Sequence, residues 1–150
     1  MPSESVSGNI PEVFAVISIS GRTSVLERVL NSLKNGGPHL IGVVVNDNGN
    51  TEGTRPLVGN APVPSLYVKP AKNLGCGGGV ANALKTGLEH SEADYFWILD
   101  DDCVIESGSL EPMIAAMGKG ADAAVPMVIA ENRVIGWFPG LLEPEPWALI

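Results

Sequence analysis

Five apolar residues, Tyr95-Phe96-Trp97-Ile98-Leu99, run straight into three carboxylates, Asp100-Asp101-Asp102. Such a run reads as a central strand buried on both faces, with charge admitted only where the backbone leaves the sheet. Adjacent carboxylates repel one another, and desolvating them without a partner is costly. A divalent cation relieves both problems. Mg²⁺ or Mn²⁺ takes oxygen ligands and often sits on one or two carboxylates together with the phosphates of a substrate. The other reading of an Asp triplet is a solvated acidic turn, and the rest of the chain has to choose between them.

In chain order, a polar lead (1–12) precedes the β-branched run Val13 to Ile19, a strand, which ends in the loop Ser20-Gly21-Arg22. Ser24 and Glu27 have the spacing of a capping box, and Val25, Leu26, Val29, Leu30 and Leu33 follow at helical intervals until Gly36-Gly37-Pro38. Leu40 to Val45 is a second strand, so the first unit is βαβ, with parallel strands and a right-handed crossover. Leu66 to Val68 is a short third strand. A helix after Gly79 places Val80, Leu84 and Leu88 on one face, and a helix after Ser107 or Ser109 carries Leu110, Met113, Ile114 and Met117. Ala123 to Ile129 and Arg133 to Trp137 read as two more strands, a hairpin around Glu131-Asn132. The alternation predicts an α/β protein, a mostly parallel sheet flanked by helices.

Composition removes several classes. With 45% apolar and 17% charged residues the chain is globular, and its net charge of −8 argues against sequence-independent nucleic-acid binding, which needs clustered Lys and Arg. An acidic protein accepts an anionic phosphate ligand best through a metal. Cys76 and Cys103 stand too far apart for a Cys-x-x-Cys site, and both read as small buried thiols in a reducing, cytoplasmic protein. The lead has no signal-peptide pattern, and no apolar run is long enough for a transmembrane helix.

Three polar loops close three apolar strands: Ser20-Gly21-Arg22, the loop beginning at Asp47, and Asp100 to Asp102. In a parallel sheet all three emerge on the same edge, where ligands bind. Gly75-Cys76-Gly77-Gly78-Gly79 precedes a helix, which suits close ligand approach and anion binding. Close packing of helix against sheet accounts for those glycines equally well. They form neither a Walker A loop nor a good dinucleotide fingerprint, since Val80 stands where the third Gly or Ala belongs.

Taken together these segments resemble the family 2 glycosyltransferases of the GT-A (Rossmann-like) fold. The resemblance rests on Asp47-Asn48-Gly49-Asn50-Thr51-Glu52-Gly53-Thr54, on Asn73-Leu74-Gly75-Cys76-Gly77-Gly78-Gly79-Val80-Ala81-Asn82, and on Asp100-Asp101-Asp102, in that order across residues 13 to 118. It implies a nucleotide-sugar-binding domain over 13–139 and a tail, 140–150, that starts a missing acceptor-binding part. By the same resemblance Asp47 reads the nucleobase, Asp100 contacts the nucleoside, and Asp102, with Asp100, holds Mn²⁺ or Mg²⁺ against the diphosphate while Asp101 supports it. Ser18 and Ser20 line the nucleotide pocket and Gly75 lies beside it. No aromatic follows the first strand, and Glu52 replaces the commoner Asp, so the base stays open, with UDP or dTDP the default.

The implied reaction is an inverting transfer from a nucleotide-diphospho-sugar to the hydroxyl of a carbohydrate or glycolipid acceptor, with a carboxylate as base. Glu131, Glu143 and Glu145 are the acidic residues after Asp122, and none is a convincing base. A solvated tail explains Glu143 and Glu145. Trp137 and Trp147 are core or sugar-stacking residues; Arg22 and Lys72 meet phosphate or solvent. Two alternatives stay open: a non-catalytic nucleotide-binding fragment, and a sugar nucleotidyltransferase, for whose Gly-rich basic loop Ser20-Gly21-Arg22-Thr23 is too short.

Overall fold

The computed structural model describes residues 10–130 and 135–137. Its strands are β1 (Val13–Ile19), β2 (Leu40–Asp47), β3 (Ser65–Val68), β4 (Tyr95–Leu99), β5 (Val128–Ile129) and β6 (Ile135–Trp137). Its helices are α1 (Thr23–Ser32), α2 (Thr54–Gly59), α3 (Gly75–His90) and α4 (Leu110–Gly118), with a 3₁₀ stretch over Leu33–His39. The chain divides into two compact units, Met1–Leu110 and Glu111–Ile150. The span expected as one domain, 13–139, crosses that division.

In the first unit β3-β2-β1-β4 form a parallel sheet. Register sets Ile19 beside Asp47 and Ile17 beside Leu99, so the chain leaves β1, β2 and β4 within a residue or two of one line. β1 is the spine of the core because both its faces are covered. Phe14 and Val16 pack with Val44 and Ala83, and the alternate residues Val13, Ala15, Ile17 and Ile19 are equally buried.

Three expectations are corrected. β4 lies at an edge of the four strands rather than at the centre, and Ile98 is 53% exposed. Only β1 pairs with it among the described residues, so an apolar run did not guarantee two covered faces. Second, α3 begins at Gly75, and the glycines are its first turn. Its buried positions are Gly79, Ala83 and Gly87, whereas Leu88 is exposed. The reason is close approach. A Cβ on Gly79 would collide with Ser18 Oγ and Asn48 Nδ2, and one on Gly87 would sit 3.1 Å from Phe96 Cε1. Small residues, not large ones, let this helix reach the sheet. Third, α1 starts at Thr23 without a side-chain cap, so Ser24 and Glu27 do not form the box. The carbonyl of Arg22 instead accepts from the Val25 and Leu26 N–H groups at 3.1 and 3.0 Å.

In the second unit α4 turns Met113, Ile114 and Met117 partly inward, and β5 pairs antiparallel with β6. These strands are shorter than the expected hairpin arms, whose turn at Glu131-Asn132 lies outside the described residues. No described helix is long and apolar enough to cross a membrane.

Candidate functional site

The exit from β1 begins with Ser18, half-buried, and Ser20, exposed. Gly21 then takes φ +83°, a left-handed turn that favours glycine, and Arg22 follows on the surface. The exit from β2 folds back onto this loop. A Cβ on Gly49 would stand 2.9 Å from Gly21 N and 3.3 Å from Ser20 Cα, so only glycine allows the two loops to meet. Asn48 N–H seals the contact by donating to the Ile19 carbonyl at 2.8 Å.

Asp47 itself is fully buried. Its Oδ2 accepts from Thr51 N–H and from the Tyr67 hydroxyl, both at 3.0 Å, while Oδ1 is buried without a partner. Burial, then the bond to Asp47, pushes the Tyr67 hydroxyl above its ordinary pKa. This carboxylate shapes the loop that follows β2 and is not among the groups lining the cleft described below. The next residue is. Asn48 Nδ2 donates to the Gly75 carbonyl at 2.7 Å, and its Oδ1 accepts from Leu74 N–H at 3.2 Å. Behind it, Asn82 Nδ2 donates to Asn46 Oδ1 at 2.8 Å, and Asn46 Nδ2 donates to Asn48 Oδ1 at 3.2 Å. Three asparagines thus tie the end of β2 to the start of α3, satisfying polar groups that burial would otherwise leave costly.

At the exit from β4, Asp101 is buried while Asp100 and Asp102 are exposed. Arg22 spans the gap between β1 and β4: Nη2 pairs with Asp101 Oδ1, and Nη1 donates to Asp102 Oδ2 at 3.1 Å. Burial holds the Asp101 carboxyl above the usual carboxylate range, an effect that Arg22 partly offsets. Oxygens of Asp100 and Asp102 and the sulfur of Cys103 lie within 4.8 Å of one another, a spacing that suits one cation. Two hard carboxylates fit Mg²⁺ or Mn²⁺; a sulfur beside them is better matched to Mn²⁺. Burial and then the three aspartates push the Cys103 thiol up, so without a cation it stays protonated.

These exits enclose a cleft of about 470 Å³, a size that suits a small ligand. Ser18, Ser20, Gly75, Asp100, Asp101 and Asp102 all line it, and Asp47 does not. Asn48, Asn73, Cys76 and Val80 line it as well. Asn48 is uncharged and stands beside a carboxylate, so its place in the cleft is not evident from residue type. Its place in the Asp47-Asn48-Gly49 segment that carries the family resemblance was the available signal. Cys76 is exposed, not buried as expected. The glycine loop serves both readings: Gly79 is a packing contact, whereas Cβ atoms on Gly75 and Gly77 would meet nothing within 4 Å. Lys72 is exposed and is not among the lining residues, and the tail residues Glu131, Glu143, Glu145 and Trp147 lie outside the described residues.

The chain is 34% identical over 90 residues to a galactofuranosyltransferase of Mycolicibacterium smegmatis, an alignment covering 60% of this chain and 30% of that relative. The structure superposes on the crystal structure of S. aureus TarS with a TM-score of 0.58 and 18% identity, over 72% of this chain and 20% of TarS, which shows a shared GT-A type fold. The chain therefore spans about a third or less of the length of these proteins. The description "Glycosyl transferase family 2" matches residues 15–147, nearly the whole sequence, and the chain belongs to that family.

Proposed function

We propose that this chain is the donor-binding portion of an inverting glycosyltransferase that uses a nucleotide-diphospho-sugar. One observation carries the reading: the ends of β1, β2 and β4 line a single cleft that combines the uncharged Ser18, Ser20 and Asn48 with the carboxylates Asp100 to Asp102. Ser18, Ser20 and the Gly75 turn suit the nucleoside, with Asn48 holding that turn through Leu74 and Gly75, while Asp47 is too buried to reach the cleft. Asp102 and Asp100, with Cys103, would hold Mn²⁺ or Mg²⁺. Such an ion supplies Lewis-acid stabilisation of the charge that develops on the leaving diphosphate. Asp101 stays in the background, fixing the turn through Arg22. UDP or dTDP is the expected nucleotide, and the similarity to a galactofuranosyltransferase makes galactofuranose the first sugar to test, on a carbohydrate or glycolipid acceptor.

The Arg22 ion pair favours a second reading, metal-independent nucleotide binding without catalysis, because a guanidinium already neutralises part of the cluster. Calorimetry with UDP, with and without Mn²⁺, separates the two. Binding that tightens at least tenfold with Mn²⁺, and loses that gain in Asp102→Asn, supports the donor site. Equal affinity with and without the metal supports the second reading and rejects the first.

A further inference from the structure

Arg22 is rooted but not confined. Gly21 fixes the entry to α1, and the Arg22 carbonyl is committed to the first turn, so the side chain starts from a set point. Its end is 54% exposed and lies in the cleft, where it is the one basic residue among the described lining groups. The guanidinium does not fork onto a single carboxylate. It splits between Asp101, whose side chain is 8% exposed, and Asp102, which is 49% exposed. Asp102 also belongs to the cation-sized group with Asp100 and Cys103. One carboxylate therefore has two claimants, a guanidinium on a tether and a divalent cation from solution.

We infer that Arg22 is a tethered counterion that competes with the divalent cation for Asp102 while the cleft is empty, and that turns to the phosphate oxygens once a nucleoside diphosphate enters. The inference rests on the donor-site reading above and adds a direction to it. Guanidinium binds phosphate as readily as carboxylate, because its planar array of N–H donors matches both. A diphosphate entering the cleft offers Arg22 a second anion, and the move leaves Asp102 free for the cation. Asp101 keeps its contact with the remaining N–H groups, and its burial holds it in place. Cation and nucleotide then favour each other's binding, and reciprocity requires each to raise the other's affinity by the same factor. Part of that factor belongs to Arg22 alone, apart from any direct contact between cation and phosphate.

The test measures Mn²⁺ binding by the spin-resonance signal of the free ion, with and without UDP, in the wild-type chain, R22Q and R22K. Removing a unit positive charge from beside Asp102 should tighten Mn²⁺ binding without nucleotide by roughly three- to tenfold, the range for a partly screened charge pair. The further gain on adding UDP should shrink by a similar factor. R22K keeps the charge but reaches one carboxylate at a time, so its Mn²⁺ affinity should fall between the other two. Circular dichroism and the urea midpoint confirm that the variants are folded, and R22K carries the test if R22Q is not. If R22Q and R22K bind Mn²⁺ no more tightly than wild type, Arg22 is not a competitor and the inference is overturned. If wild type shows no Mn²⁺ binding even with saturating UDP, the donor-site reading itself fails, a result distinguishable from the first.

Discussion

At the end of β2, Asp47 is sealed inside the protein with Thr51 and Tyr67 donating to it; at the end of β4, Asp100 and Asp102 face solvent close to one another, and Asp102 pairs with Arg22. Both ends sit on the same edge of the same sheet, and both present Asp where the backbone stops pairing. The difference lies in what the fold supplies around each. β2 is flanked by β1 and β3 and its loop folds back over it, so its carboxylate finds internal donors. β4 is flanked by β1 alone among the described residues, so its carboxylates have few internal donors and depend on a charged partner. A strand-end Asp is architectural when the backbone satisfies it and available to a ligand when it does not.

Asp47→Ala should break the β2 end most severely. It strands the Thr51 N–H and the Tyr67 hydroxyl and should cost about 2–4 kcal/mol in a urea titration. A cost below about 1 kcal/mol would mean that the buried, unpartnered Oδ1 had already cancelled the benefit of Oδ2. Next in size, Gly79→Ala should cost about 1–3 kcal/mol through its clash with Ser18 and Asn48, outweighing a helix-propensity gain of about 1 kcal/mol. Gly77→Ala, whose Cβ meets nothing, should keep that gain and serves as the control.

The β4 end should respond to pH rather than to truncation. The folded state holds the Asp101 proton more tightly than the unfolded chain does, so this group favours the fold in acid. That contribution fades as pH climbs from the ordinary carboxylate pKa through the raised one. Asp101→Asn should therefore flatten that part of the stability–pH profile, and a steeper profile in the variant would refute the assignment. Smallest of all, Asp102→Asn should move stability by no more than about 0.5 kcal/mol, because its partners are exposed, while removing the Mn²⁺ dependence of UDP binding. A large loss of stability there would erase the contrast between the two ends.

Much of this was legible without coordinates. The βαβ start, the parallel sheet and the convergence of polar loops follow from residue periodicity, because strands of a parallel sheet must leave by one edge. The carboxylates of the cleft were legible too, since an apolar run followed by Asp100 to Asp102 leaves little doubt where the chain surfaces. The partner of that cluster was open: Arg22 is 79 residues away from Asp101 in the chain and had equal claim to phosphate and to solvent. The surroundings of Asp47 were open for a related reason. Its neighbour Asn48 carries no charge, yet Asn48 lines the cleft while Asp47 bonds to Tyr67.

By itself the sequence determined the order of the elements and the edge on which their polar ends gather, because hydrophobic periodicity is a local property that each segment carries alone. Only the tertiary structure decided which carboxylate is consumed inside the fold and which stays exposed in the cleft. That choice depends on donors and neighbours that meet across 20 residues at Tyr67 and Asp47 and across 80 at Arg22 and Asp102, and no local pattern records them.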